Sequence, residues 1–131
     1  TVRKDNELLV SLHIPLSTEI RGAGFHEVSE RKGDFAVVAA AAVISLDETG
    51  ICNHATLAIG GADSTPKRMH VAENKLQGNV LNNQIISSSL SGLNSELEPS
   101  NDRHADAAYR TRVARILTER ALQDALEEVR A

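Results

Sequence analysis

Apolar residues follow three strand-like patterns in the first half of the chain. Residues 7–14 alternate, and a strand is predicted there because alternate side chains of a strand share one face. Residues 36–46 are almost entirely Ala, Val and Ile, which favours a strand buried on both faces, although the alanine run 39–42 leaves a helix open. Residues 51–59 alternate again, and the turn sequence Asp-Glu-Thr-Gly before them predicts a hairpin with the preceding strand.

The spacing of apolar residues becomes helical after the third predicted strand. Thr65 followed by Pro66 predicts the start of a helix over 66–77, because Pro is favoured at the first helical position. An asparagine at 82 or 83 is suited to cap a second helix over 82–97. A polar link then leads to a third and longer helix.

The third predicted helix covers 106–129. Its first half has an apolar stripe that its second half does not continue, so a bend or a change of buried face is expected near 118–121. Because all strands precede all helices, the order predicts an α+β fold, with a three-stranded antiparallel sheet packed on three helices. Residues 1–131 are expected to form a single domain.

Composition narrows the possible partners. The chain has 14 basic and 18 acidic residues and shows no basic stripe, which argues against nucleic acid. No apolar stretch is long enough to cross a membrane, and the single cysteine, Cys52, excludes an internal disulfide, so a cytoplasmic setting is expected. Only 2% of the residues are aromatic, so the core is thin and part of its apolar surface is expected to need a partner.

Common catalytic and metal-binding patterns are missing from the sequence. The five histidines are scattered without metal-ligand spacing, and no Gly-x-Ser-x-Gly elbow is present. Gly60 and Gly61 lie between a predicted strand and a predicted helix, but they match neither the Walker pattern nor Gly-x-Gly-x-x-Gly. A simple backbone bend explains them better than a phosphate loop.

The segment 26–34 is the strongest candidate site. It carries six ionisable residues within nine positions: His26, Glu27, Glu30, Arg31, Lys32 and Asp34. A solvated charge run and a binding loop both explain this composition. The buried strand that follows favours the binding loop, because a rigid strand fixes the side chains at its mouth.

Several blocks of this chain resemble the C-terminal domain of the FAD-binding (medium) subunit of molybdenum hydroxylases, the xanthine dehydrogenase and carbon monoxide dehydrogenase family. They keep the family's order and cover nearly the whole chain: residues 7–15, 25–36, 47–52, 60–78 and 102–122. The resemblance implies an α+β sandwich in an oxidoreductase that passes electrons from substrate hydroxylation at molybdenum, through iron–sulfur centres, to FAD. It implies three partners, which are an N-terminal FAD-binding domain missing here, a [2Fe–2S] subunit and a molybdopterin subunit.

The same resemblance assigns roles to five residues. Leu9 is expected near the flavin, and His26 stands where the family often has a lysine. Arg31, Lys32 and Asp34 are expected to shape the acceptor side of the flavin. FAD belongs to the complete subunit, so the isolated chain is expected to be inactive and to hold no FAD. A non-enzymatic module that docks a partner or forms a homo-oligomer with the same fold is the alternative.

Overall fold

The computed structural model describes residues 3–14 and 19–131. Within them, four antiparallel strands form one sheet in which the strands follow one another in sequence order, and helices pack against this sheet. This architecture confirms the predicted α+β class, with a short fourth strand in addition to the three that were predicted. The strands are β1 (Arg21–Val28), β2 (Val38–Leu46), β3 (Cys52–Gly60) and β4 (Lys67–Arg68). The helices are α1 (His70–Leu76), α2 (Asn83–Ser89) and α3 (Ala107–Arg130), and a 3₁₀ helix, Leu90–Ser95, follows α2.

The predicted strand 7–14 is wrong for this structure, and the first strand is β1 instead. Residues 7–14 have no regular secondary structure, and their large apolar side chains are all exposed. Alternation alone does not form a strand, because the backbone also needs a neighbouring strand to pair with. Pro15, at the end of the block 7–15 that resembles the family, lies outside the described residues. β1 includes residues 26–28, the start of the charged segment 26–34 that was predicted to be a loop.

The hairpin of the second and third strands is present. β2 pairs with β3 from Ala39 opposite Gly60 to Leu46 opposite Cys52, so the alanine run is strand and not helix. The turn between them is fixed by Asp47, whose carboxylate accepts the N–H groups of Thr49 and Ile51. These bonds join the two strands that form the centre of the sheet.

The first helix is shorter than predicted. Helix α1 begins at His70, with Met69 as its N-cap residue, so the predicted start at Thr65 and Pro66 is wrong. The reason lies in β4, because Lys67 and Arg68 pair with the open edge of β3 before the helix starts. The backbone there gains hydrogen-bond partners that a first helical turn lacks.

The second helix has the predicted cap but splits in two. The Asn82 side chain accepts the Ile85 N–H at 2.9 Å, as an N-cap does. The helix changes to 3₁₀ geometry at Leu90 instead of continuing to 97. The hydroxyls of Ser88 and Ser89 donate to carbonyls three residues back, and such bonds compete with the regular helical pattern.

Helix α3 presents one continuous buried stripe, so the predicted change of face is wrong. The prediction followed large apolar residues, whereas the buried stripe is mostly small or polar. Its members recur at three- and four-residue spacing along the helix: Arg110, Ala114, Leu117, Thr118, Ala121, Leu122, Ala125 and Leu126. The Asp106 side chain caps this helix by accepting the Tyr109 N–H.

Small residues let α3 lie unusually close to β1. A methyl group at Gly24 would collide with the backbone of Ala121, and one at Gly22 with the backbone of Ala125. The two glycines therefore serve the close packing of β1 against α3. Two polar contacts join the same elements, since Glu128 accepts the Ala23 N–H and His26 bonds to Asp124.

The sheet has one covered face and one open face. The covered face carries Val38, Ala40, Ala42 and Ile44 of β2, which are buried beneath the helices. The open face carries the alternate residues and is built largely from small side chains: Ala23, Phe25, Glu27, Ala39, Ala41, Val43, Thr56 and Ala58. We call this surface the open face. Phe25 is its most exposed large apolar residue.

Candidate functional site

The charged segment after β1 forms an exposed loop, residues 29–37. Its tip is a turn in which the Asp34 N–H donates to the Arg31 carbonyl at 3.1 Å. Gly33 takes a φ of 92°, which side chains disfavour, so glycine is suited to this place. The turn therefore brings Arg31, Lys32 and Asp34 together at one corner of the molecule.

A second loop, residues 101–105, precedes α3. The Asp102 carboxylate accepts the N–H groups of His104 and Ala105, and the Arg110 guanidinium donates to its other oxygen at 2.6 Å. The N–H groups of Ala105 and His104, followed by Arg110, lower the pKa of Asp102 to about 2. This carboxylate is therefore ionised at neutral pH and keeps its loop folded on itself.

Two side chains connect these loops. The His104 ring and the Glu30 carboxylate lie 2.7 Å apart. Arg110 is only 7% exposed and donates to the Val37 carbonyl and the Gly61 carbonyl, both at 2.7 Å. The 29–37 loop is thus held at both of its ends, which limits how far its tip can move.

A cleft of about 630 Å³ lies between the two loops. Its wall mixes charges of both signs with one fully exposed aromatic ring, Phe35. The lining residues are Glu30, Arg31, Gly33, Asp34, Phe35, Ala36, Val37, Asp102, Arg103, His104 and Arg110. We call this space the loop cleft. Its volume is within the range typical of small-molecule sites.

The structure brings together three of the five predicted site residues. Arg31 and Asp34 line the loop cleft, and Lys32 lies in the same turn. His26 is separate, because it lies on the α3 side of β1 with its Nε2 atom 2.8 Å from the Asp124 carboxylate. Leu9 lies in the exposed segment that forms no strand and is 68% exposed.

Sequence reasoning missed half of the loop cleft. The sequence pattern predicts only a polar link before the third helix and places Arg110 within that helix. One signal was available, because Arg110 precedes Ala114 by four residues and so falls on the buried stripe of α3. An arginine on a buried face needs acceptors nearby, and here these are Asp102 and two carbonyls.

The described residues 3–14 and 19–131 show neither a metal-binding cluster nor a membrane-spanning helix. They contain no group of three or more His, Cys, Asp or Glu side chains placed to hold a metal ion. None of the helices in these ranges has the length and apolar character that membrane crossing requires. Cys52 is buried, and that burial raises the pKa of its thiol.

Comparison with known proteins gives one family match. The model of the CO dehydrogenase flavoprotein C-terminal domain matches residues 23–125. Among curated relatives, the 6-hydroxypseudooxynicotine dehydrogenase complex subunit alpha of Paenarthrobacter nicotinovorans is 36% identical over 95% of this chain and 42% of its own length. The caffeine dehydrogenase subunit beta of a Pseudomonas species is 29% identical over 96% and 42%.

Solved structures share the fold. Quinoline 2-oxidoreductase from Pseudomonas putida matches with a TM-score of 0.80 and 28% identity, over 90% of this chain and 40% of that one. The cyanide-inactivated form of Cu,Mo-CO dehydrogenase matches with a TM-score of 0.80 and 25% identity. This chain therefore spans about 42% of the length of the curated relatives that it matches.

Proposed function

This chain belongs to the family of CO dehydrogenase flavoprotein C-terminal domains, and we propose that its loop cleft forms one wall of the flavin site in a molybdenum hydroxylase. The match over residues 23–125 carries this proposal, because it contains both loops of the cleft. The remaining length that relatives possess supplies the other wall. In this assignment, the chain alone is inactive, and the complete enzyme works in the cytoplasm.

The residues present suit the ring end of FAD and not its phosphates. The loop cleft offers an exposed aromatic ring at Phe35 and a cation at Arg31, both suited to a flat and partly polar ring. The described residues contain no glycine-rich loop leading into a long helix, the arrangement that holds a pyrophosphate. We therefore assign the phosphates to the N-terminal part of the complete subunit.

FAD supplies the electron-accepting chemistry when it is bound, and this chain supplies its electrostatic surroundings. Arg31 lines the cleft and Lys32 lies beside it in the same turn, and their positive charges favour a negatively charged, reduced ring. The N–H group of Asp34 closes the turn and so holds the two cations in position. The His104–Glu30 contact and Arg110 hold the turn in place.

Leu9 and His26 have different roles in the proposed flavin site. Leu9 approaches the flavin only when its segment docks on the rest of the subunit. His26 acts on the strand that leads into the loop, through its bond to Asp124 on α3. Docking to the iron–sulfur and molybdopterin subunits completes the proposed electron path.

The test is the flavin midpoint potential in the complete subunit. Replacing Arg31 and Lys32 together by Ala is expected to lower the potential, since the reduced ring loses its positive neighbours. A loss of about 1.4 kcal/mol corresponds to about 30 mV for a two-electron couple. Arg115→Ala is the matched control, because Arg115 is an exposed cation of α3 outside the loop cleft.

Two results of this measurement contradict the proposed flavin wall. An unchanged potential in the Arg31→Ala, Lys32→Ala variant, together with unchanged electron-acceptor kinetics, contradicts the proposed wall. A shift of the same size in Arg115→Ala also contradicts it, because the effect is then general surface charge. Titration of FAD into this chain, with and without the preceding domain, checks separately whether the flavin needs both parts.

A further inference from the structure

A second groove lies on the outer side of α3, next to the 3₁₀ helix. Its volume is about 570 Å³, and it shares no residue with the loop cleft. Asn94 of the 3₁₀ helix lines it together with α3 residues between Ala108 and Glu119. We call this space the outer groove. None of its lining residues belongs to the buried stripe of α3, which packs on the sheet, so the outer groove lies on the side away from the sheet.

Two exposed arginines in the outer groove have no acidic partner within the chain. Among residues 3–14 and 19–131, no carboxylate forms an ion pair with Arg112 or Arg115. Their place in the first half of α3 gives no stabilisation through the helix dipole, which favours cations near the C-terminal end. The formal net charge of the chain is −4, so this local pair of cations does not reflect a general excess of basic residues.

The side chains around these cations have the composition of a protein interface. The Arg112 guanidinium lies over the Tyr109 ring, 5.5 Å from its centroid. This contact restricts the arginine before any partner binds, so less conformational entropy is lost on docking. Ile116, one helical turn beyond Arg112, is 43% exposed. Arginine and tyrosine are enriched among the residues that contribute most to protein–protein affinity.

The shape of the outer groove suits a helix. Ala108, Arg112, Arg115 and Glu119 follow one another at helical spacing, so they share one side of α3 over roughly 16 Å. A groove of this length between two helical segments fits an added helix of about three turns. The backbone N–H groups inside α3 are already bonded within the helix, so they form no cradle for a phosphate.

The charges of the outer groove define the chemistry of that helix. Arg112 and Arg115 lie towards one end of the groove, and Glu119 lies at the other. A docked helix therefore needs carboxylates at the end that meets the two arginines. The proposed function assigns the N-terminal part of the subunit to the loop cleft, which leaves the outer groove to the other subunits of the enzyme.

We propose that the outer groove is the docking site for an acidic helix of another subunit of the complete enzyme. This inference rests on the proposed function and names a surface that joins the flavin subunit to its partners. Carboxylates of the docked helix pair with Arg112 and Arg115, because a guanidinium and a carboxylate match in geometry and charge. An apolar side chain of the same helix covers Ile116.

Zero-length cross-linking identifies the occupant. Arg112→Lys places a primary amine in the outer groove, and a water-soluble carbodiimide joins an amine to a carboxylate in contact with it. In the complete enzyme with all its subunits, we expect mass spectrometry to find this amine joined to an Asp or Glu in a helix of another subunit. Arg120→Lys is the matched control without such a cross-link, because Arg120 is an exposed arginine of α3 outside the outer groove.

Charge reversal measures how much the outer groove contributes to assembly. Arg112→Glu is expected to weaken binding of the flavin subunit to its partner subunits at least about tenfold, because it sets a carboxylate against carboxylates. Arg120→Glu makes the same change of charge on the same helix and is expected to weaken binding less than about threefold. Analytical ultracentrifugation of the complete subunit with its partners gives both values.

The results separate the docking site from the flavin wall. A cross-link to a second copy of this chain, or to the N-terminal part of the same subunit, overturns the inference. The absence of a cross-link, or equal weakening in Arg112→Glu and Arg120→Glu, also overturns it. These results leave the flavin wall standing, because the midpoint potential of the Arg31→Ala, Lys32→Ala variant decides that proposal. An unchanged potential there, together with a cross-link to another subunit, overturns the flavin wall and keeps the docking site.

Discussion

The contact between β1 and α3 predicts that Gly24→Ala is strongly destabilising. A Cβ atom at this position would lie 2.8 Å from the Ala121 carbonyl carbon and 2.9 Å from its Cα atom. Favourable carbon–carbon contacts are about 3.5–4.0 Å, so α3 and β1 must separate by roughly 1 Å. The obstructing atoms are helix backbone and cannot rotate away. Overpacking costs about 1–3 kcal/mol, and the rigid neighbour points to the upper end, about 3 kcal/mol.

Urea and thermal unfolding, followed by far-ultraviolet circular dichroism, measure this loss. For a chain of this length, about 3 kcal/mol lowers Tm by roughly 10 °C. Gly60→Ala is the matched control, because Gly60 also lies in a strand but has nothing within 4 Å of an added Cβ. It is expected to change stability by less than about 0.5 kcal/mol. Equal losses in the two variants, or no loss in Gly24→Ala, refute the packing argument.

Three more variants or probes test other contacts. Glu73→Gln is expected to lose about 3 kcal/mol at pH 7, because the buried Glu73 carboxylate accepts from Arg68 and from the Leu57 N–H. Burial opposes the ionisation of Glu73, but these donors outweigh burial and lower the pKa of its carboxyl group. The stabilisation from the ionised carboxylate is therefore complete above the unfolded-state pKa of about 4.3, and it is lost as the pH falls through the folded-state pKa. Urea unfolding from pH 7 to pH 3 checks this, and an equally steep acid loss in the Gln variant contradicts it. Asp106→Ala is expected to cost about 1 kcal/mol in the same assay while Asp106→Asn retains most of the cap, so equal losses in both exclude capping. Cys52 is expected to react with a thiol reagent at least about tenfold more slowly in native protein than in urea, and rapid native labelling contradicts its burial.

Sequence pattern predicted the centre of the fold better than its edges. The hairpin of β2 and β3 followed from a turn signal between two apolar runs, and the cap at Asn82 followed from residue type. These features depend on local chemistry. The first strand was misplaced because its identity depends on a partner. Residues 7–14 alternate but lack a neighbour here, whereas β1 contains two glycines and still pairs.

Only one of the two loops of the candidate site could be predicted from the sequence, for the same reason. Arg31, Lys32 and Asp34 stand together along the chain, so composition alone indicated the loop. The opposite wall comes from residues about 70 positions later, and the His104–Glu30 contact that joins the walls spans 74 positions. Patterns along the chain do not report such contacts, because they arise only when α3 lies across the sheet.

The long separation between β1 and α3 also has a consequence for biosynthesis. His26 meets Asp124 across 98 positions, so β1 emerges from the ribosome well before the helix that covers it. At ordinary translation rates of about 5–20 residues per second, the nascent strand waits roughly 5–20 s for that cover. During this interval the face of β1 that α3 later covers is exposed to chaperones, and a chain that stops before residue 121 lacks the part of α3 that packs on Gly24.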